Sequence, residues 1–178
     1  MALLAEGDTR DAALAEALGR LALPAVRLDA APSRDAEIAV AACKAGGAPD
    51  LPTDEPWPEH QGQPLPFVAQ LSLSELAGSD PDGELPADGE LWFFFDANRS
   101  QWGLSGADAG LARVIFRGKS RSILARREAP AGTTTYRSYR WTPLRIATLP
   151  RELRSAECLV APRERPEVQR TNPFTGSR

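Results

Sequence analysis

Six prolines crowd the segment 46–67, GGAPDLPTDEPWPEHQGQPLPF, near the middle of the chain. Each proline ring fixes φ and removes a backbone N–H donor, so neither a helix nor a central strand can run through the segment. We therefore predict an extended, rigid connection that lies over a sheet as a preformed lid. Its tryptophan, Trp57, either pins this lid to the core or serves as a rigid aromatic contact for a partner. We favour packing against the core.

The length of 178 residues is enough for one domain with a hydrophobic core. From Ala161 onward the sequence has three prolines and almost no apolar surface to bury. We therefore predict a single domain over residues 1–160 and a flexible polar tail over 161–178. The first ten residues lack the pattern of a signal peptide, and no segment approaches about 18 consecutive apolar residues. A cytoplasmic protein with no membrane contact is expected.

Apolar periodicity predicts an α+β fold with a mainly antiparallel β-sheet, because strand patterns follow one another without a helix between each pair. Three leucines at helical spacing, Leu14, Leu18 and Leu21, predict an N-terminal amphipathic helix over residues 9–22. A continuous apolar run, LWFFFD, indicates a strand covered on both faces, which we place at the centre of the sheet. The strand patterns lie at 25–30, 37–43, 67–73, 91–96, 111–117, 122–127 and 134–141, and a short helix is predicted at 149–157.

Charge is distributed unevenly along the chain. Residues 1–112 carry 6 Lys/Arg and 19 Asp/Glu, whereas residues 113–178 carry 15 and 5. Such a split indicates either separate acidic and basic faces or two halves that neutralise one another within one fold, and the second is the more general case. The acidic loop that contains Asp82 and Glu84 can complement a basic partner surface, or it is simply a solvated loop.

Short motifs exclude several classes of site. One histidine and two cysteines are too few for a Cys/His zinc site, and the sequence has no GxSxG, GxGxxG or HExxH motif. The sequence Gly118-Lys119-Ser120 lacks the glycine that a phosphate-binding loop would place at Arg113. We therefore predict no metal and no cofactor. Tyrosines and arginines alternate in TYRSYRW, 135–141, as in a nucleic-acid surface or an ordinary amphipathic strand, and the acidic pI of about 5.3 argues against nucleic acid.

Several spaced elements occur in one order through the proline segment and the strands after it. They are Gly46-Gly47-x-Pro49-x-Leu51-Pro52, Trp57-Pro58, Pro64-Leu65-x-Phe67-x-Ala69-Gln70-Leu71, Leu85-Pro86 and Gly89-x-Leu91-x-Phe93-Phe94-x-Asp96. Over about residues 44–117 the sequence thereby resembles the YwqG-like family, bacterial proteins grouped under a domain of unknown function. The resemblance implies an α+β fold built on antiparallel strands and supplies no catalytic residues. It also makes immunity to a toxin a candidate role.

The leading hypothesis is a non-catalytic protein that binds another macromolecule, as an immunity-type or regulatory partner, and the expected partner is another protein. No feature of the sequence indicates an oligomeric state. The residues nominated for binding are Trp57, Asp82, Glu84, Gln70 and Trp102.

The alternative hypothesis is a small enzyme with a site between the proline segment and the central strand. Asp96 closes that strand, where desolvation is expected to raise the pKa of its carboxyl group. His60 is the matching acid/base candidate, although a solvent-exposed loop histidine is the simpler interpretation. Gln70 and Trp102 would complete such a site.

Overall fold

The computed structural model describes residues 12, 14–80, 83, 85–99, 108, 110–118 and 123–149. It divides the chain into two units, Met1–Leu23 with Thr148–Arg178, and Pro24–Ala147. In the first unit, helix α1 spans residues 14–21 and confirms a helix within the predicted range. Leu14 is 52% exposed, so the predicted apolar stripe stays a prediction. The predicted helix at 149–157 and the tail lie outside the described residues, apart from residue 149.

Ten strands and one further helix follow α1 in the described part of the chain. They are β1 (Leu23–Pro32), β2 (Lys44–Ala45), β3 (Asp50–Pro52), β4 (Glu59–His60), β5 (Gln63–Pro64), β6 (Phe67–Ser72), α2 (Leu73–Ala77), β7 (Glu90–Phe95), β8 (Ala112–Arg117), β9 (Leu124–Arg126) and β10 (Tyr139–Thr148). No helix in this part of the chain has the length and apolar character needed to cross a membrane.

Six of the strands form one sheet in the order β1-β10-β2-β6-β7-β8. The pairs from β10 across to β8 are antiparallel, which confirms the predicted mainly antiparallel sheet. Two smaller pairs, β3-β9 and β4-β5, lie outside this sheet. The apolar run 91–96 becomes β7, as predicted, but β7 is fifth of six strands and not central.

Core residues pack on both faces of the large sheet at β7, which explains how β7 is apolar throughout without being central. On one face, Trp92 and Phe94 of β7 belong to a core with Leu51, Leu65 and Phe67, and Trp57 and Leu124 pack against it. On the other face, Leu91 packs against a second core that includes Cys43 and two leucines of α2. Alternate side chains of β7 therefore enter two different cores, and a continuous apolar run satisfies both.

The strand predicted at 37–43 is wrong. A single 3-10 turn, Asp35–Glu37, occupies its start, and Ala41 has a φ of 65°, which no strand residue adopts. Side-chain hydrogen bonds replace the ladder here, because the Ala41 N–H donates to an Asp50 carboxylate oxygen at 3.1 Å. The local apolar pattern is accordingly that of a buried turn.

The proline segment is less uniform than predicted. It contains the short strands β3, β4 and β5, of which β4 and β5 form a tight hairpin, and none of them belongs to the large sheet. The last predicted strand also shifts, because β10 begins at Tyr139 and continues to Thr148.

Candidate functional site

An open groove with a volume of about 460 Å³ lies between the proline segment and the strand β8. We call it the β8 groove. It is lined by Glu55, Pro56, Trp57, Pro58, Glu59, His60, Leu65, Gly110, Ala112, Arg113, Val114, Ile115, Phe116 and Arg117. This is the place, between the proline segment and an apolar sheet, where the sequence predicts a site, but the strand involved is the edge strand β8 and not β7.

The hydrogen-bond ladder decides which main-chain groups of β8 face the groove. The Asp96 N–H donates to the Leu111 carbonyl at 3.0 Å, and hydrogen-bonded pairs alternate along an antiparallel ladder. Odd-numbered residues from 111 to 117 therefore direct their main-chain groups at β7. The even-numbered residues Ala112, Val114 and Phe116 direct theirs outward, away from the sheet.

Two of these outward residues have no main-chain partner in the described part of the chain, namely Ala112 and Val114. The third, Phe116, accepts a hydrogen bond at its carbonyl from the Arg117 guanidinium at 3.1 Å. The side chain of Val114 is 56% exposed, a large fraction for a β-branched strand residue. β8 therefore presents an open main-chain edge to the groove, and the exposed side chain of Val114 lies beside this edge on the opposite face of the sheet.

The side chains of β8 differ on its two faces. Ile115 enters the core that Trp57 packs against, so Arg113 and Arg117 lie on the same face as the proline segment. Arg117 forms an ion pair with Glu55 of that segment at 2.6 Å. Arg113 is exposed and forms no ion pair with any described residue. The groove therefore has an ion-paired arginine at one end and, at the other end, an arginine with no ion pair within the described residues.

Trp57 forms part of the groove wall and also holds the proline segment in place. Its indole N–H donates to the Leu65 carbonyl at 3.0 Å, and its ring meets Phe94 edge-on with centroids 5.4 Å apart. Trp57 is half-buried, so it anchors the segment to the core and still contributes surface to the groove.

His60 and Asp96, nominated as an acid/base pair, line different openings. His60 lies over Gly110 in the β8 groove, where a Cβ added to that glycine would lie 2.4 Å from Nδ1. Asp96 lines a smaller opening of about 280 Å³ with Asn98, Arg99 and two threonines. The structure therefore does not bring the two residues into one site.

The predicted rise in the pKa of Asp96 is wrong. Desolvation does raise the pKa of this carboxyl group, but the Arg99 guanidinium, the Arg99 N–H and the Asn98 N–H together lower it below its ordinary value. The Asn98 and Arg99 N–H groups lie 3.0 and 3.2 Å from Oδ1, and the guanidinium contacts Oδ2. Asp96 is therefore an ionised cap of the turn after β7.

Gln70, nominated for binding, lies inside the protein with no exposed surface. Its amide group donates to an Asp50 carboxylate oxygen at 2.8 Å, and its carbonyl oxygen accepts from the Asp50 N–H at 2.8 Å. Arg126 meets the same carboxylate through two nitrogens at 2.9 and 3.2 Å. Lys44, fully buried, lies 2.9 Å from an Asp35 oxygen and 3.9 Å from Asp50. We call these five residues the buried polar network.

Little in the sequence predicts the buried polar network. Its members are far apart in the chain, and Asp35 and Lys44 lie beside the segment predicted to be a strand. Burial lowers the pKa of Lys44, while contact with Asp35 and Asp50 raises it in part. The local signal that exists is Gly47, whose φ is 70° and whose Cβ would lie 2.1 Å from an Asp35 oxygen.

The remaining sequence predictions concern three residues nominated for binding and the uneven charge along the chain. Asp82, Glu84 and Trp102 lie outside the described residues. Ion pairs between the acidic and the basic parts of the chain, such as Arg126–Asp50 and Arg140–Glu75, show that the two halves neutralise one another within the fold.

A family model described as a domain of unknown function, DUF1963, matches residues 43–169. No curated protein matches the chain. The matched range begins at the residue before β2 and includes every strand that lines the β8 groove or packs against it. It also takes in four of the five residues of the buried polar network. The chain therefore belongs to the DUF1963 family of domains of unknown function.

Proposed function

We propose that this protein is a non-catalytic binding module that contacts a partner protein through the β8 groove. The observation that carries the proposal is the outer edge of β8, where the main-chain groups of Ala112 and Val114 have no partner in the described part of the chain. Val114 adds an exposed apolar side chain beside this edge, on the face of the sheet opposite to the proline segment. An unpaired strand edge beside an apolar wall is the surface to which extended segments of other proteins add.

The opposite wall of the groove is well suited to binding because it is held rigidly. Trp57 is anchored to Leu65 and Phe94, and Glu55 is paired with Arg117 across the groove. A second hydrogen bond joins the Arg127 guanidinium to the Glu55 carbonyl. A wall that is ordered before binding loses little conformational entropy when a partner arrives.

The alternative enzymatic function receives less support from the geometry. It requires Asp96 and His60 to act on one substrate, and these residues line different openings. It also requires a carboxyl group that can exchange a proton near neutral pH, whereas three donors keep Asp96 ionised. We therefore favour binding.

The YwqG-like resemblance supports a more specific role. If the chain is a YwqG-like protein, then the bound partner is a toxin or a regulated protein, and the module acts in the cytoplasm as an immunity-type or regulatory factor. Asp82, Glu84 and Trp102 remain proposed as additional contacts with that partner.

Site-specific photo-crosslinking tests the proposal. A benzophenone amino acid replaces Val114 in one variant and Ile123 in a control variant, because Ile123 is 76% exposed and does not line the groove. Both variants are expressed in the native host and irradiated, and adducts are identified by mass spectrometry. We expect one stoichiometric adduct from position 114 that excess unlabelled protein suppresses. Equal adduct patterns from both positions would contradict the proposal.

A further inference from the structure

We infer that the β8 groove binds an extended, acidic peptide segment of the partner by strand addition, with a carboxylate opposite Arg113 and an apolar side chain two residues away. The inference rests on the proposed function and specifies the chemistry of its partner. It follows from three properties of β8: its main-chain edge, the order of its side chains and the distribution of charge along it.

The main-chain edge sets the conformation of the bound segment. The outward groups of Ala112 and Val114 are separated by one residue, which is the repeat at which a neighbouring strand exchanges hydrogen bonds. A helix has its own N–H and C=O groups paired internally and offers none of this complementarity. An extended segment therefore fits the edge, and Ala112 and Val114 become its hydrogen-bonded positions.

The order of the side chains determines what lies opposite each peptide residue. If an antiparallel segment bonds Ala112 and Val114, then Arg113 and Ile115 occupy non-hydrogen-bonded positions, where facing side chains approach most closely. A peptide residue opposite Arg113 points to the same face as the proline segment. The residue two positions away faces Ile115 and the half-buried Trp57, which form an apolar surface. The fitting pattern is therefore an acidic residue, any residue, then an apolar residue, in the order that the peptide direction dictates.

The distribution of charge favours an acidic residue over a basic one. Arg117 is already paired with Glu55 at 2.6 Å, whereas Arg113 is paired with no described residue. A carboxylate from the peptide would neutralise Arg113 in a bidentate arrangement, the geometry that guanidinium groups prefer. A lysine or arginine at the same position would face Arg113 and be repelled.

Selection from a display library of random 12-residue peptides tests the inference with a defined probe. The wild-type protein and the Arg113→Glu variant are used as parallel baits, and folding of both is checked by circular dichroism. We expect the wild type to enrich Asp or Glu two residues from Val, Ile, Leu or Phe. The variant should enrich Lys or Arg at the acidic position, with affinity for the original peptides reduced at least tenfold.

Main-chain pairing has a separate test on the best enriched peptide. Val114→Pro removes an outward N–H at an edge position, where proline is tolerated, while Val114→Ala keeps that N–H. We expect Val114→Pro to abolish binding and Val114→Ala to weaken it only a few-fold. N-methylation along the peptide should weaken binding at alternate positions, a readout that does not depend on how well the proline variant folds.

The outcomes separate the inference from the proposed function. Enriched peptides without an acidic preference, or with the same preference against Arg113→Glu, would overturn the inference. So would equal sensitivity to N-methylation at every peptide position, or a library that yields no binder. None of these results touches the crosslinking at position 114, which also detects a folded partner. Loss of that crosslink would overturn both.

Discussion

The buried polar network and the β8 groove differ in how their charged groups are paired. In the network, the carboxylate of Asp50 has no exposed surface and receives hydrogen bonds from Gln70, Arg126 and the Ala41 N–H. In the groove, Arg113 is exposed, and among the described residues neither its side chain nor the outward main-chain groups of its two neighbours have a partner. The comparison separates polar groups that hold the fold from polar groups left available for a partner.

The same comparison explains why the family motifs do not indicate a function. Gly46 and Gly47 have φ values of 63° and 70°, and a Cβ at Gly46 would lie 2.1 Å from the Arg137 carbonyl oxygen. Gln70 is bound within the network, and Trp57 anchors the proline segment. These residues are required to build the structure, so their presence reports the fold. The groove edge is made of main-chain atoms and carries no motif.

The largest expected effect is on stability, from the network. Asp50→Ala removes the main carboxylate partner of Arg126 and leaves the fully buried Lys44 with Asp35 alone, and we expect the free energy of unfolding to fall by about 3–5 kcal/mol. Urea denaturation measures it. The matched control is Asp54→Ala at an exposed position, where the change should stay within about 0.5 kcal/mol. Similar losses in both variants would mean that the network does not stabilise the fold.

A smaller loss of stability is expected from the anchor of the groove wall. Trp57→Ala removes a half-buried indole and its hydrogen bond to Leu65, which should cost about 2–4 kcal/mol. Trp57→Phe keeps much of the packing and should cost about half as much. Urea denaturation gives both values, and limited proteolysis should show faster cleavage within residues 53–63 of the alanine variant. Unchanged proteolysis would contradict the anchoring role.

The pH dependence of stability should report the ionisation of Glu90. Its pKa is raised to about 7, chiefly by burial; a hydrogen bond from Ser72 opposes the rise, and the charges of Glu75 and Asp50 contribute to it. One of its carboxylate oxygens is buried without a hydrogen-bond partner among the described residues. The protonated form is therefore the one that the fold prefers.

The sign of the effect follows from this shift. Because the pKa of Glu90 is raised from 4.5 to about 7 in the folded protein, its stabilising contribution is complete below pH 4.5 and is lost as the pH rises through 7. Allowing for its partial exposure, the loss should be about 1–2 kcal/mol. In Glu90→Gln, thermal unfolding measured between pH 5 and pH 8 should show a smaller decline than the wild type. An unchanged pH profile would show that Glu90 ionises normally.

The smallest expected effect on stability comes from a substitution in the groove. This substitution separates most clearly the residues that stabilise the fold from those that bind a partner. Arg113→Glu should change the free energy of unfolding by less than about 0.5 kcal/mol, because the side chain is exposed and has no ion pair with the part of the chain that the structure describes. The crosslink from position 114 should nevertheless be lost or reduced at least tenfold. Arg27→Glu is a control on the exposed strand β1 and should leave crosslinking unchanged. A variant that loses stability and crosslinking together would indicate that Arg113 supports the fold.

Sequence periodicity predicted the parts of the fold that depend on local pattern. The strands β1, β6, β7 and β8 lie close to their predicted ranges because their apolar side chains alternate or run continuously. The segment 37–43 was mistaken for a strand because its apolar residues are buried around a turn, which side-chain hydrogen bonds from distant residues create. The place of β7 in the sheet depends on pairing between strands, which a local pattern does not encode.

The site was predicted in part for the same reason. The proline segment was predicted as one extended connection but contains the short strands β3, β4 and β5, whereas Trp57 packs against the core, as we favoured from the sequence. The raised pKa of Asp96 was wrong because the donors that stabilise its charge come from the turn that follows it. The open edge at Ala112 and Val114 was missed, since its chemistry lies in backbone direction and not in residue type.

Amide hydrogen exchange along β8, followed by NMR on the isolated protein, tests the central claim most directly. The account predicts alternating protection: the amides of Arg113 and Ile115, bonded to β7, exchange slowly, and those of Ala112 and Val114 exchange fast. Slow exchange at all four amides would show that the outer edge of β8 is already paired, and would contradict the proposal that it is open to a partner.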